Sequence, residues 1–178
     1  MLFRVRVDDK RKRFDALVMP HSTSAYNLAR WLLGNDADAE DVLQDALIKA
    51  FRNLETLRSP NVRAWLLQIV RNTAYTQISS KKGARDLSIE DIGDARADEA
   101  SNPAALLLQS IDRANLHRAI DGLPVEYREA VVLRELEGLS YREISEIAAI
   151  PIGTVMSRLA RARTKIQSAL NAAEGGQV

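Results

Sequence analysis

The chain has 178 residues, 46% of them hydrophobic and 28% charged, with a formal net charge of +1; this suffices for one compact domain or two small ones and demands no global disorder. The absence of cysteine excludes a disulfide scaffold, thiol chemistry and cysteine-ligated zinc or iron–sulfur centres, and fits a reducing cytoplasm. No stretch approaches the roughly 20 apolar residues of a membrane span, the N-terminus MLFRVRVDDKRKRF has no signal-like apolar core, and aromatics at 5% argue against a β-strand platform for single strands.

Helical periodicity dominates the first half. Phe14, Leu17 and Val18 open an apolar face, and Ala25, Leu28, Ala29 and Leu32 continue it at spacings of three and four. Gly34-Asn35 stops that helix. Asp38 is expected to cap the next one, with Asp41 at its third helical position, where the macrodipole favours a negative charge. Val42, Leu43, Ala46, Leu47, Ala50 and Phe51 form its buried stripe. Asp41, Gln44, Asp45 and Lys49 are left for another face. Asn53 to Asn61 breaks the pattern, and Ser59-Pro60 reads as a cap with proline in the first helical turn. Val62, Trp65, Leu66, Ile69, Val70, Thr73 and Ala74 then predict a third strong helix, with Trp65 in the core beside Ile69. These segments predict an all-helical domain over residues 10–78.

Residues 79–103 change character. Glycine, serine and acids replace the apolar rhythm, with six acids and one base from Asp86 to Glu99. The segment reads as a linker, with a short turn around Leu87 to Ile92. It is either a flexible tether or an acidic strand that imitates nucleic acid in a positively charged groove. Periodicity resumes at Ala104 and predicts a second helical domain over residues 104–172. Leu106, Leu107, Ile111, Leu116 and Ile120 mark one or two helices ending at Asp121-Gly122. Leu123-Pro124 starts another, with Val131, Val132, Leu133 and Leu136 on its buried side, and Gly138 ends it.

Ser140 to Arg163, SYREISEIAAIPIGTVMSRLARAR, carries most of the functional information. Ser140 and Glu143 form a capping box. Tyr141, Ile144, Ile147 and Ala148 give a short support helix its apolar side, and Ala149-Ile150-Pro151 makes the turn. In the second helix Val155, Leu159, Ala162, Ile166 and Leu170 face the core, while Arg158, Arg161 and Lys165 recur on a different side. This is the layout of a helix-turn-helix that seats one helix in the major groove. Ile152, Gly153, Thr154, Met156 and Ser157 form a slim first turn that approaches base edges. Arg158 suits a bidentate guanine contact, and Arg161, Arg163 and Lys165 suit phosphates.

Other chemistries find no support. His21 and His117 stand far apart without companion ligands, so no metal is expected. Asp38, Glu40, Asp41 and Asp45 lack the loop glycine of a calcium site. There is no GxGxxG or Walker lysine motif, so no phosphate-binding cofactor loop is expected.

LPVEYREAVVLRELEGLSYREISEIAAIPIGTVMSRLARAR resembles region 4 of the extracytoplasmic-function group of sigma factors, within the sigma-70 family. DAEDVLQDALIKAF and NVRAWLLQIVRNTA resemble region 2. The resemblance covers most of the chain and implies a two-domain, all-α sigma factor. It implies that Asp41, Gln44, Asp45 and Lys49 face the clamp helices of the polymerase β′ subunit. It also implies that the loop from Asn53 to Asn61 holds a flipped base of the −10 element, and that Arg71 and Asn72 lie along the non-template strand. Region 4 would bind the β flap and read the −35 element through residues 152–161. The implied partners are core RNA polymerase, promoter DNA and an anti-sigma factor, in the cytoplasm and with the nucleoid when in holoenzyme, without membrane insertion; since opening DNA needs no nucleophile, the resemblance implies no catalytic residue, cofactor or small-molecule substrate.

Some positions depart from the family pattern. Met156 stands where a basic residue is frequent, and Ala149 where glycine is common. Tyr75 to Ser80 precede Lys81-Lys82 where arginines often come earlier. The run Lys10-Arg11-Lys12-Arg13 offers extra cations or simply a solvated flank. Two rivals remain at this point: a dimeric helix-turn-helix repressor or activator reading an inverted repeat, and an adaptor or decoy whose basic face binds an acidic protein.

Overall fold

Eight α-helices make up most of the computed structural model, which describes residues 2–57, 60–85 and 105–175, with side chains for 8–57, 60–81 and 113–173. They are α1 (Leu2–Leu17), α2 (Ser22–Leu33), α3 (Asp36–Arg52), α4 (Val62–Arg85), α5 (Ala105–Asp121), α6 (Val125–Val131), α7 (Tyr141–Ala148) and α8 (Ile152–Gly175). The chain divides into two compact units, Met1–Asp91 with Ser145–Ala149, and Ile92–Ile144 with Ile150–Val178. The turn expected around Leu87 to Ile92 lies outside the described residues.

In the first unit α2, α3 and α4 pack on one another. Ala25, Leu28, Ala29 and Leu32 from α2 meet Val42, Ala46 and Ala50 from α3 and Leu66, Leu67, Val70 and Ala74 from α4 in an apolar core. The small residues of α3 let its axis come close to its neighbours, and the leucines fill the remaining space. Each fully buried leucine contributes about 1.5–3 kcal/mol relative to exposure. Gly34 ends α2 at φ +80, the left-handed conformation that a side chain disfavours. At the far end Phe14 of α1 meets Phe51 edge-on at 5.3 Å, and Lys10 lies over the same Phe51 ring.

Several expectations change here. The cap of α3 is Asn35, whose Oδ1 accepts from the Asp38 amide at 2.9 Å, because the helix already starts at Asp36. Asn61 caps α4 by accepting from the Ala64 amide at 3.0 Å, so Pro60 precedes the helix instead of opening it. Leu43, Leu47, Phe51, Trp65 and Ile69 are half-buried. Trp65 therefore sits at the core's edge, because α4 buries the face through Leu66, Leu67 and Val70. The helix also runs on past Ile78 to Arg85.

In the second unit α8 packs against α5 and α6. Val155, Leu159 and Ala162 are buried, with Ala130, Val131, Val132 and Leu133 from the α6 region and Ala119 and Ile120 from α5. Ile166 and Leu170, further along the 24-residue helix, are only half-buried. A π-helical stretch, Val132–Leu136, follows α6, with the Glu137 amide donating to the Val132 carbonyl at 2.9 Å. Its wider turn takes up an extra residue, which rotates Leu136 out of the stripe and leaves it 53% exposed, against the sequence expectation. Leu116 is exposed as well, since the burial of α5 begins only at Ala119 among its described side chains.

Candidate nucleic-acid interface

The helix-turn-helix follows from local chemistry. The Ser140 amide donates to Glu143 Oε2 at 2.8 Å, and the Glu143 amide donates back to Ser140 Oγ at 3.2 Å. This is the reciprocal capping box expected from the sequence, and it starts α7 at a defined residue. Ala149 turns the chain at φ 53, in the left-handed region. The Pro151 carbonyl then accepts from the Thr154 and Val155 amides at 2.9 and 3.1 Å, so proline stands just ahead of α8.

One side of α8 is anchored and the other is open. Val155, Leu159 and Ala162 are buried, while Ile152, Gly153, Met156, Ser157, Ala160, Arg161, Thr164 and Lys165 are exposed. A side chain added at Gly153 would meet open space. Thr154 is half-buried, and the Ser157 hydroxyl donates to the Thr154 carbonyl at 3.0 Å. The basic residues separate into two kinds. Arg161 and Lys165 have no partner among the described residues. Arg163 bonds Glu135 at 2.7 Å, which raises its pKa further. Arg158 is half-buried, with its guanidinium 3.8 Å from the buried Glu129 carboxylate. The expected row of Arg158, Arg161 and Lys165 is therefore not uniform. A helical wheel shows three cations, but only the packed structure shows that α6 presents a carboxylate to one of them.

In the first unit the exposed face of α3 carries Asp41, Gln44 and Asp45, and Ile48 joins them one turn on. Sequence reasoning missed Ile48, although its position off the apolar stripe was visible. Lys49 is exposed but donates to Thr73 Oγ1 on α4 at 3.1 Å. On α4 the Arg71 guanidinium lies over the Tyr75 ring at 4.4 Å and bonds the Asn72 side chain at 3.3 Å. Asn53 donates its side-chain amide to the Lys49 carbonyl at the end of α3. Beside Asn61 an open concavity of about 380 Å³ is lined by His21, Pro60, Asn61, Val62 and Arg63.

Asp38 has a structural use. Its carboxylate receives Gln77 at 2.8 Å, Lys81 at 2.5 Å and Asn35 at 2.6 Å, which ties the start of α3 to α4. Burial pushes its pKa up, but these three donors outweigh that and hold it below the usual value. Asp36 is likewise depressed by the hydrogen bond from Arg30, with Tyr26 assisting. Among the described residues no group of three potential ligands stands close enough to hold a metal, and no described helix is long and apolar enough to cross a membrane.

Comparison with known proteins matches the same two blocks. The family described as sigma-70 region 2 matches residues 17–83, and sigma-70, region 4 matches residues 113–166. The chain is 36% identical over 176 residues to the RNA polymerase sigma-H factor of Pseudomonas aeruginosa, covering 94% of this chain and 90% of the relative. It is 35% identical over 157 residues to the ECF RNA polymerase sigma factor SigE of Mycolicibacterium smegmatis; this covers 88% of the chain but spans only 61% of that relative. The sigma factor RpoE of Bartonella quintana, solved with the anti-sigma factor NepR, superposes with a TM-score of 0.74 at 28% identity, covering 90% of this chain and 98% of that one. CnrH, solved with the cytosolic domain of CnrY, shares the fold with a TM-score of 0.65 at 24% identity, covering 91% of this chain and 90% of that one.

Proposed function

We infer, from a chain that belongs to the extracytoplasmic-function group of the sigma-70 family, that it binds core RNA polymerase, directs it to −35 and −10 promoter elements and assists melting. The observation that carries this reading is the division of α8: Val155, Leu159 and Ala162 anchor it, while its first turn and two unpaired cations stay open. A duplex needs an open helix start against base edges and positive charge against phosphates. In this assignment residues 104–172 read the −35 element, with Ile152, Gly153, Thr154, Met156 and Ser157 nearest the bases. Arg161 and Lys165 grip the backbone, Arg163 assists, and Arg158 acts from the flank where Glu129 holds it.

Residues 10–78 carry the polymerase and −10 functions, and residues 79–103 connect the two. The exposed acids Asp41 and Asp45, with Gln44 and the flank of Lys49, meet the clamp helices. Ile48 adds an apolar centre of the kind interfaces favour. The concavity beside Asn61 supports the placement of an extruded base, because His21 and Arg63 bring planar groups on which a base stacks. Arg71 and Asn72 lie further along α4 for the displaced strand, and Asn53 supports the loop by holding the end of α3. Melting needs no nucleophile; it needs binding energy available only once a base has left the stack, which offsets a few kcal/mol of unstacking. A relative was solved with an anti-sigma factor, and control by such a partner is part of the proposal.

The test is reconstituted transcription with core polymerase on a randomised promoter library. Paired upstream elements at a fixed spacing should be enriched. Core binding without any enrichment would overturn the reading. Asp45→Lys should weaken holoenzyme formation, and unaltered affinity would remove Asp45 from the interface.

A further inference from the structure

The start of α8 exposes a pair of large apolar side chains, Ile152 at 45% and Met156 at 53%, one helical turn apart. They hold no place in the core, which α8 reaches through Val155, Leu159 and Ala162 on another face. Their polar neighbours offer little: Gly153 has no side chain, Thr154 is half-buried, and Ser157 spends its hydroxyl proton on the Thr154 carbonyl. The tip of this helix therefore presents mainly hydrocarbon and a thioether. Further along the same helix, Arg161 and Lys165 are exposed and unpaired among the described residues. An apolar tip followed by free cations complements a surface with an apolar feature set between anionic rails.

In the major groove the apolar feature is the C5-methyl group of thymine, and no other base carries one. We propose that Ile152 and Met156 read thymine 5-methyl groups in the upstream promoter element, so that this chain recognises part of its −35 sequence by apolar contact. The proposal rests on the assignment of α8 as the −35 reader. The unbranched thioether of Met156 adapts to a methyl group whose position varies with local groove geometry. Ile152 is stiff at χ1 and sets a fixed second contact. Removing water from one methyl group is worth about fourfold in affinity.

The experiment uses full-length protein in holoenzyme, bound to the upstream element selected from the library. Each thymine is replaced in turn by uracil, which pairs identically but lacks the methyl group. Binding should fall about fourfold at one or two positions. Met156→Gln and Ile152→Thr, both at exposed sites, should each abolish the sensitivity at one position while leaving core binding unchanged. A holoenzyme that keeps its upstream preference but ignores uracil everywhere overturns the proposal and leaves the −35 assignment standing. An absence of any upstream preference removes both. If Met156→Gln weakens anti-sigma binding and leaves uracil sensitivity intact, the patch is a protein-docking surface and the proposal falls.

Discussion

The guanidinium of Arg158 lies 3.8 Å from the carboxylate of Glu129, which is only 1% exposed, and the pair fastens α8 to α6. A buried carboxylate facing a half-buried cation is costly to break, because the charge left behind has lost its water. Arg158→Ala should lower the stability of the second unit by about 2 kcal/mol, less than a fully enclosed pair because Arg158 retains solvent contact. Urea unfolding monitored in that unit measures this. Promoter affinity should fall by a similar factor for all upstream sequences. A loss confined to one base position at unchanged stability would make Arg158 a base reader instead.

Ala149 occupies the left-handed region at φ 53 in the turn before α8. A Cβ in that conformation costs about 1–2 kcal/mol, partly offset by the greater freedom glycine has in the unfolded chain. Ala149→Gly should therefore stabilise the protein by about 0.5–1 kcal/mol. A thermal melt that moves down instead would show that the turn is unstrained.

Arg161 and Lys165 are the unpaired cations of α8 among the described residues, whereas Arg163 is held by Glu135 at 2.7 Å. Each phosphate contact releases about one counterion. Arg161→Ala and Lys165→Ala should each make the slope of log affinity against log salt shallower by about 1. Arg163→Ala should change it less. Holoenzyme binding to duplex over a salt series gives these slopes, and equal effects at all three positions would contradict the distinction.

Asp38 is held ionised by Asn35, Lys81 and Gln77 against the opposing effect of its burial. A carboxyl whose folded pKa lies below its unfolded value stabilises the fold above that unfolded value, about 3.9. The contribution disappears as pH falls through the lower folded value. Wild-type protein should thus lose stability below about pH 4 more steeply than Asp38→Asn, which is already weakened at pH 7. Urea midpoints from pH 7 to pH 3 test this; parallel curves would mean that the tie between α3 and α4 does not depend on charge.

What the sequence determined by itself was the helical pattern and the identity of its faces. The buried stripes through Ala25, Leu28 and Leu32, and through Val155, Leu159 and Ala162, follow from periodicity alone. So does the capping box at Ser140 and Glu143, because its partners are three residues apart. The tertiary structure decided how the polar residues are used. Lys81 fell in the expected linker, beyond the predicted domain end at residue 78, and instead holds Asp38, 43 positions away. Lys49 looked fully presented to a partner and instead reaches Thr73. Arg158 looked open to a guanine, and α6 brings Glu129 beside it; Leu136 looked buried until a π turn rotated it outward. Periodicity reports which way a side chain leaves its own helix. It carries no information on which group a second helix brings to meet that side chain, and for a charged residue that neighbour decides between holding the fold together and facing a ligand.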